Sequence, residues 1–195
     1  LVSPALAAAV SNAGGLGTLA LWGADMQVLR QLVRETQALT TKPFAVNLNL
    51  DFPQEERLDA CLQEGVPVIS FFWRDPSGLV TRAKSGGAKV LHTVSTAAEA
   101  RHAVASGVDV IIAQGWEAGG HVRGEVATMA LIPAVVDAVG PVPVFAAGGI
   151  ADGRGLAAAL ALGAYRQTPH QSGIAVATHR LDGVAAQIAQ HPVEL

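Results

Sequence analysis

Apolar residues in this chain come in short continuous runs, not in alternation with polar ones. The runs are LGTLALW (16–22), PFAVNLNL (43–50), VPVISFFW (66–73), AKVLHTV (88–94), VDVIIAQG (108–115) and VPVFAAGG (142–149). Continuous runs of this length, rich in Val, Ile, Leu and Phe, are the mark of strands buried on both faces, as in a parallel sheet covered by helices. Between them lie segments of helical character at 24–39, 54–64, 76–85, 95–106, 127–139 and 151–162. Successive strands start about 20–27 residues apart, with one longer step before the last, close to the size of one βα unit.

The punctuation agrees with that reading. EGVPV, SGVDV and VGPVPV each set a Gly after a helix and then launch a strand, where a left-handed C-cap is wanted. STAAEA at 95–100 supplies an N-cap and an acidic first turn. LVSPALAAAVSNAGG at the start has no basic leader and reads as a helix capped by Ser3, with Pro4 in its first turn and Gly14 past its end. Repeated βα units close as a (β/α)8 barrel or lie open as a doubly wound sheet. NAGGLGTL follows a helix and opens a strand, the wrong order for the glycine fingerprint of a dinucleotide-binding sheet. The expectation is therefore an α/β fold of the (β/α)8 TIM-barrel type. It is incomplete: six clear units, a first strand that would precede Leu1, and a last one due after Ala164. With no initiator Met, the chain reads as a fragment. Residues 1–164 form the barrel domain and 165–195 a divergent tail.

Composition adds bounds. Of 195 residues, 50% are hydrophobic and 15% charged, enough apolar material for one sizeable core. A net charge of −3 gives no reason to expect nucleic acid, and no uncharged apolar run is long enough to span a bilayer. One cysteine, Cys61, excludes an internal disulfide and any Cys-based zinc cluster, so a reducing cytoplasm is the expected compartment. Cys61 itself reads as a small core residue.

In a parallel barrel the chemistry sits at the C-terminal ends of the strands. That rule gathers Asn47 and Asn49, Trp73 to Asp75, His92 and Thr93, Gln114 to Gly124, and Gly148 to Asp152. IIAQGWEAGGHVRG (111–124) runs from a strand into four glycines around a lone imidazole. Gly115, Gly119 and Gly120 let backbone approach a ligand closely, Gln114 can donate and accept, and His121 stands where a general base would be exposed. Composition alone also admits a flexible loop with a surface histidine. FAAGGIADGRG ends a strand in Gly148-Gly149 and opens a helix near Asp152, an arrangement suited to a phosphate. Taken alone it is equally an ordinary glycine turn with Asp152 as N-cap. Trp73, Phe71 and Phe72 read as packing, with Trp73 able to wall a pocket.

QGWEAGGHVRG (114–124), together with PFAVNLNL, TMALIPAVVDAV (128–139), VPVFAAGGIADGRGLAAALALGA (142–164) and LAAAVSNAGGLGTLA near the start, resembles the nitronate monooxygenases, once called 2-nitropropane dioxygenases. The resemblance covers about residues 1–164. It implies an oxidoreductase on a (β/α)8 barrel that binds FMN without a covalent bond and oxidises alkyl nitronates with dioxygen to a carbonyl compound and nitrite. Carried over by position, Asn47, Gln114, Gly119 and the neighbouring Gly120 match flavin-contacting residues, Gly148 and Gly149 match the phosphate turn, and His121 matches the catalytic base. No metal is implied, and the partners are a small nitronate or nitroalkane and dioxygen. Two departures stand out. The family's first strand would lie before Leu1, and after Ala164 its Gly-Thr strand is replaced by YRQTPHQSGIAVATH. Open strand edges of such a partial barrel would invite pairing with another copy. The runner-up activity is a flavin-dependent enoyl-acyl-carrier-protein reductase; the alternative outside enzymes is an inactive truncated relative.

Overall fold

A computed structural model describes residues 3–164. The alternation expected from the runs is present as α1 (Pro4–Asn12), β1 (Gly17–Ala20), α2 (Met26–Leu39), β2 (Phe44–Asn49), α3 (Glu55–Gln63), β3 (Val68–Phe72), α4 (Ser77–Ser85), β4 (Lys89–Val94), α5 (Ala97–Ala105), β5 (Val110–Gln114), α6 (Thr128–Val139), β6 (Val144–Ala147) and α7 (Gly153–Ala161). All six clear strands and the helices between them are found, each starting one or two residues later and ending at most two residues earlier than expected. The tail assigned to 165–195 lies outside the described residues. No helix among the described residues is long and apolar enough to cross a membrane.

Contacts divide the described residues into two compact units: 3–92 with 106–108, and 93–105 with 109–164. In the first, β1 pairs with β2 and β2 with β3, all parallel and in chain order, with Gly17 opposite Phe44 and Ala45 opposite Val68. In the second, β5 and β6 are parallel, with Ile111 opposite Val144 and Gln114 opposite Ala147. Neighbouring strands joined through a helix are the βα repeat that the runs require.

The core of the first unit comes from the strands (Leu19, Val46, Ile69) and from one face of α2 (Leu29, Val33), all fully buried. α1 closes on β1 so tightly that a Cβ at Gly17 would stand 1.9 Å from the Ala7 carbonyl oxygen. The α1 cap is the expected one: Ser3 Oγ accepts the Leu6 N–H at 3.3 Å and Pro4 opens the helix. The three glycines that launch strands, Gly65, Gly107 and Gly140, all have positive φ, though at Gly140 ψ is −118°, a turn open to glycine rather than a left-handed helical cap. Cys61 is fully buried on α3, and burial pushes its thiol up to about 12, which makes it a packing residue without nucleophilic character.

α2 and α3 are tied by one acid. Glu64, which ends α3, accepts from Arg34 Nε and Nη2 at 2.7 and 2.8 Å and from Arg30 Nη1 at 2.9 Å. Those hydrogen bonds, Arg34's first, hold its carboxyl at about 2, against 4.5 ordinarily. A carboxyl depressed by folding adds stability that is present above its unfolded value and is lost as pH falls through the folded one. The melting temperature of the chain should therefore drop more steeply than that of Glu64→Gln as pH falls from 4.5 to about 2. Thermal melts of the two proteins across that window check it, and parallel curves would reject it.

Candidate active site

β5 and β6 end level, because Gln114 faces Ala147, and the loops after them start side by side. The Gly115 N–H donates to the Ala147 carbonyl at 2.9 Å. Gly148 has φ 115°, and a Cβ there would lie 2.8 Å from both Ala118 N and Thr128 Oγ1. At Gly149, φ 68°, a Cβ would lie 3.3 Å from Glu117 Cβ. The glycine pair thus serves a backbone turn and lets the β6 loop lie directly on the β5 loop. Only glycine meets both demands at 148.

The β5 loop is itself stitched. Trp116 N–H donates to Val126 O at 2.9 Å and Ala118 N–H to Gly115 O at 3.1 Å. α6 has no side-chain cap at its own N-cap position, Ala127. Glu117 reaches across instead, its Oε2 accepting from Thr128 N at 2.8 Å and Thr128 Oγ1 at 2.9 Å. The Thr128 N–H is the main cause, with Glu117's own N–H next, of a carboxyl held below its ordinary value. Farther along, Gln114 Nε2 donates to the His121 carbonyl at 3.1 Å. Arg123 Nη2 donates to Glu99 Oε1 at 2.7 Å, while Glu99 Oε2 accepts from Ser95 N and Oγ at 2.8 and 2.9 Å. Gly124 packs where a Cβ would be 2.5 Å from Ser95 Cβ.

The second unit therefore brings Gln114, Gly119, Gly120, His121, Gly148 and Gly149 into one interlocked pair of loops, with His121 exposed. Asn47 stands in the first unit on β2, half-buried, its Nδ2 3.3 Å from Ser70 O and Oγ. His92 and Thr93 lie buried within β4. At the tip of β3, Trp73 and Arg74 take positive φ (61° and 52°), and Trp73 stacks on Phe72 with ring centroids 4.5 Å apart. A cleft of about 590 Å³ in the first unit is lined by Trp22, Phe52, Glu55, Glu56 and Arg57 and includes none of the residues singled out from the sequence.

Two residues that the sequence analysis left without a role, Glu117 and Arg123, shape the site, together with Glu99, which it read only as the acid of a helix's first turn. The acid inside the glycine run was the visible signal for Glu117, but its partner is eleven residues away. The α7 terminus is also occupied by protein. Asp152 Oδ1 accepts from Arg154 N at 3.0 Å and Gly155 N at 3.2 Å, and its carboxyl is lowered first by the Arg154 side chain and then by those N–H groups. As a test of room for a flavin, Gly120 is the informative position. Its φ is 77° and a Cβ there would meet nothing within 4 Å, whereas at Gly148 the space a Cβ would take is filled by protein.

The βα repeat with its interlocked loops at the strand tips defines an α/β protein of the (β/α)8 TIM-barrel type, of which the described residues supply six strands. The sequence pattern of the Nitronate monooxygenase family matches residues 1–61 and 49–181, and the chain belongs to that family. It is 39% identical over 210 aligned residues to a nitronate monooxygenase of Pseudomonas aeruginosa, covering 83% of this chain and 60% of the relative. It is 43% identical over 165 residues to a 5-hydroxy-7a-methyl-1-oxo-octahydro-1H-indene-4-carboxyl-CoA dehydrogenase of Rhodococcus jostii, covering 84% and 46%. Among solved structures, FabK from Thermotoga maritima superposes with a TM-score of 0.80 at 44% identity, over 84% of this chain and 52% of that one. The chain spans about half the length of the curated relatives it matches.

Proposed function

We propose that the protein carrying this chain is a cytoplasmic FMN-dependent oxidoreductase that oxidises alkyl nitronates with dioxygen to a carbonyl compound and nitrite. In this reading His121 removes the α-proton when the substrate arrives as a neutral nitroalkane. The observation that carries the reading is an exposed His121 on a loop stitched to the strand tips, in a chain of the nitronate monooxygenase family.

Gln114, Gly119 and Gly120 would contact the flavin ring. Gly148 and Gly149 would offer backbone N–H groups to its phosphate; the α7 N–H groups of Arg154 and Gly155 are already taken by Asp152. Bound FMN supplies the redox chemistry that no side chain here can perform. The chain's own part is geometric and acid–base. Open backbone at Gly120 admits a planar ligand, and the imidazole accepts a proton from the α-carbon to leave a nitronate.

The test is direct. The purified chain should be yellow, and with an alkyl nitronate and dioxygen it should release nitrite. A second reading, redox chemistry on an acyl thioester as in an enoyl reductase, is supported by the 43% identity to an indene-carboxyl-CoA dehydrogenase. NADH oxidation on an enoyl thioester without nitrite release would select it. A folded, colourless protein, carrying this chain within its natural full length and inactive in both assays, would dismiss both readings in favour of an inactive relative.

A further inference from the structure

We propose that Gln114 is a positioning residue: its side-chain amide fixes the loop that carries His121 to the tip of β5. The inference rests on the reading of His121 as the base, and it gives Gln114 a task apart from touching a flavin.

Gln114 is the last residue of β5, 8% exposed, and its backbone lies in the parallel ladder opposite Ala147. It is thus anchored in the sheet. Its Nε2 donates to the carbonyl of His121, seven residues on, at 3.1 Å. Between the two lie three glycines, at 115, 119 and 120, each costing more conformational entropy to order than any other residue type. Gly115 is held by Ala147, and Ala118 by Gly115, but Gly120 stands in open space with φ 77°. Beyond His121, Arg123 is paired to Glu99 on α5. The Gln114 amide therefore acts in mid-loop, on the residue whose side chain must be aimed. A hydrogen bond to a main-chain carbonyl fixes the position of the backbone at 121 and makes no use of the imidazole itself. An amide Nε2 has a second hydrogen and Oε1 two lone pairs, so this bond leaves Gln114 able to contact a ligand as well.

The discriminating variant is Gln114→Met, which keeps the volume of the side chain and removes the donor. Hydrogen–deuterium exchange on the full chain, without added ligand, should show the amides of 119–122 exchanging about ten-fold faster than in the parent, the worth of one such hydrogen bond, with the amides of β5 and β6 unchanged. In the flavin-loaded protein, turnover of a neutral nitroalkane should fall about ten- to a hundred-fold through kcat, as expected for a group moved by a fraction of its reach, and by a clearly larger factor than turnover of pre-formed nitronate. Gln114→Glu, which also lacks the donor, should behave the same way and decides the matter if the Met variant does not fold. Unchanged exchange at 119–122 overturns the proposal whatever the activity. Faster exchange accompanied by loss of flavin and an equal fall on both substrates overturns it too, in favour of a flavin contact. If the parent releases no nitrite at all, it is the activity reading that fails, and the exchange data still decide the role of Gln114.

Discussion

Gly115→Ala is expected to destabilise the chain by about 3 kcal/mol or more, because the new methyl has nowhere to go. A Cβ at 115 would stand 2.1 Å from Thr128 Oγ1 and 2.5 Å from both the N and the Cα of Thr128. The nearest of these is a side-chain atom, but the other two are backbone in the first turn of α6. Thr128 cannot step aside cheaply: its N and Oγ1 are both held by Glu117, and it is 5% exposed. Gly115 cannot retreat either, since its N–H is bonded to Ala147 O across the β5–β6 ladder. Relief must come from pushing the α6 terminus off the strand tips, which takes Glu117 and the Gly148 contact with it. At about 2–4 °C per kcal/mol for a chain of this size, the melting temperature should fall by roughly 10 °C. The control is Gly78→Ala on α4, where a Cβ meets nothing within 4 Å and the backbone is helical, so the same chemical change should leave stability equal or slightly raised. Calorimetry on both variants checks the pair. A Gly115→Ala protein that melts with its parent would show that this junction is not the tight contact described.

Much of the fold was legible because the signals that define it are local. Each strand is an apolar run ended by Gly, Pro or charge, and each helix begins or ends on a residue whose side chain or φ sets the boundary. Thr96 Oγ1 accepting the Glu99 N–H at 3.1 Å, and Gly65, Gly107 and Gly140 at positive φ, are events within four residues of sequence. The family motif likewise marked the two loops. The wiring of those loops was not legible. Glu117 with Thr128, Arg123 with Glu99, and the approach of Gly148 to Ala118 join residues separated by 11 to 30 positions. No periodicity or cap rule encodes such pairs, because they follow from strand register, and register is a property of the sheet. The glycine pair illustrates this. From sequence, Gly148-Gly149 reads as bare backbone for a phosphate; in the structure Gly148 is first of all the place where one loop lies on another. The helix-dipole argument shifts for the same reason, since Asp152, a good N-cap by type, already occupies the N–H groups at the start of α7.

If the proposed role of His121 as base holds, His121→Ala should leave the fold intact and remove one chemical step. The side chain is exposed, and the loop is held through the carbonyl of residue 121, which an alanine retains. Melting temperature and flavin content should therefore match the parent. Turnover of neutral nitroalkanes should fall by about 10²–10⁴-fold, the usual worth of a positioned general base. Pre-formed nitronates have already lost the α-proton, so their oxidation should fall by about ten-fold at most, and the ratio of the two losses is the diagnostic quantity. Nitrite release measured on both substrates at one pH gives that ratio directly. Because the replaced ring leaves a gap open to solvent, added imidazole should restore part of the neutral-substrate rate and none of the nitronate rate. An equal loss on both substrates would mean that the imidazole serves binding or charge stabilisation and not proton removal. The base would then have to be sought elsewhere at the strand tips.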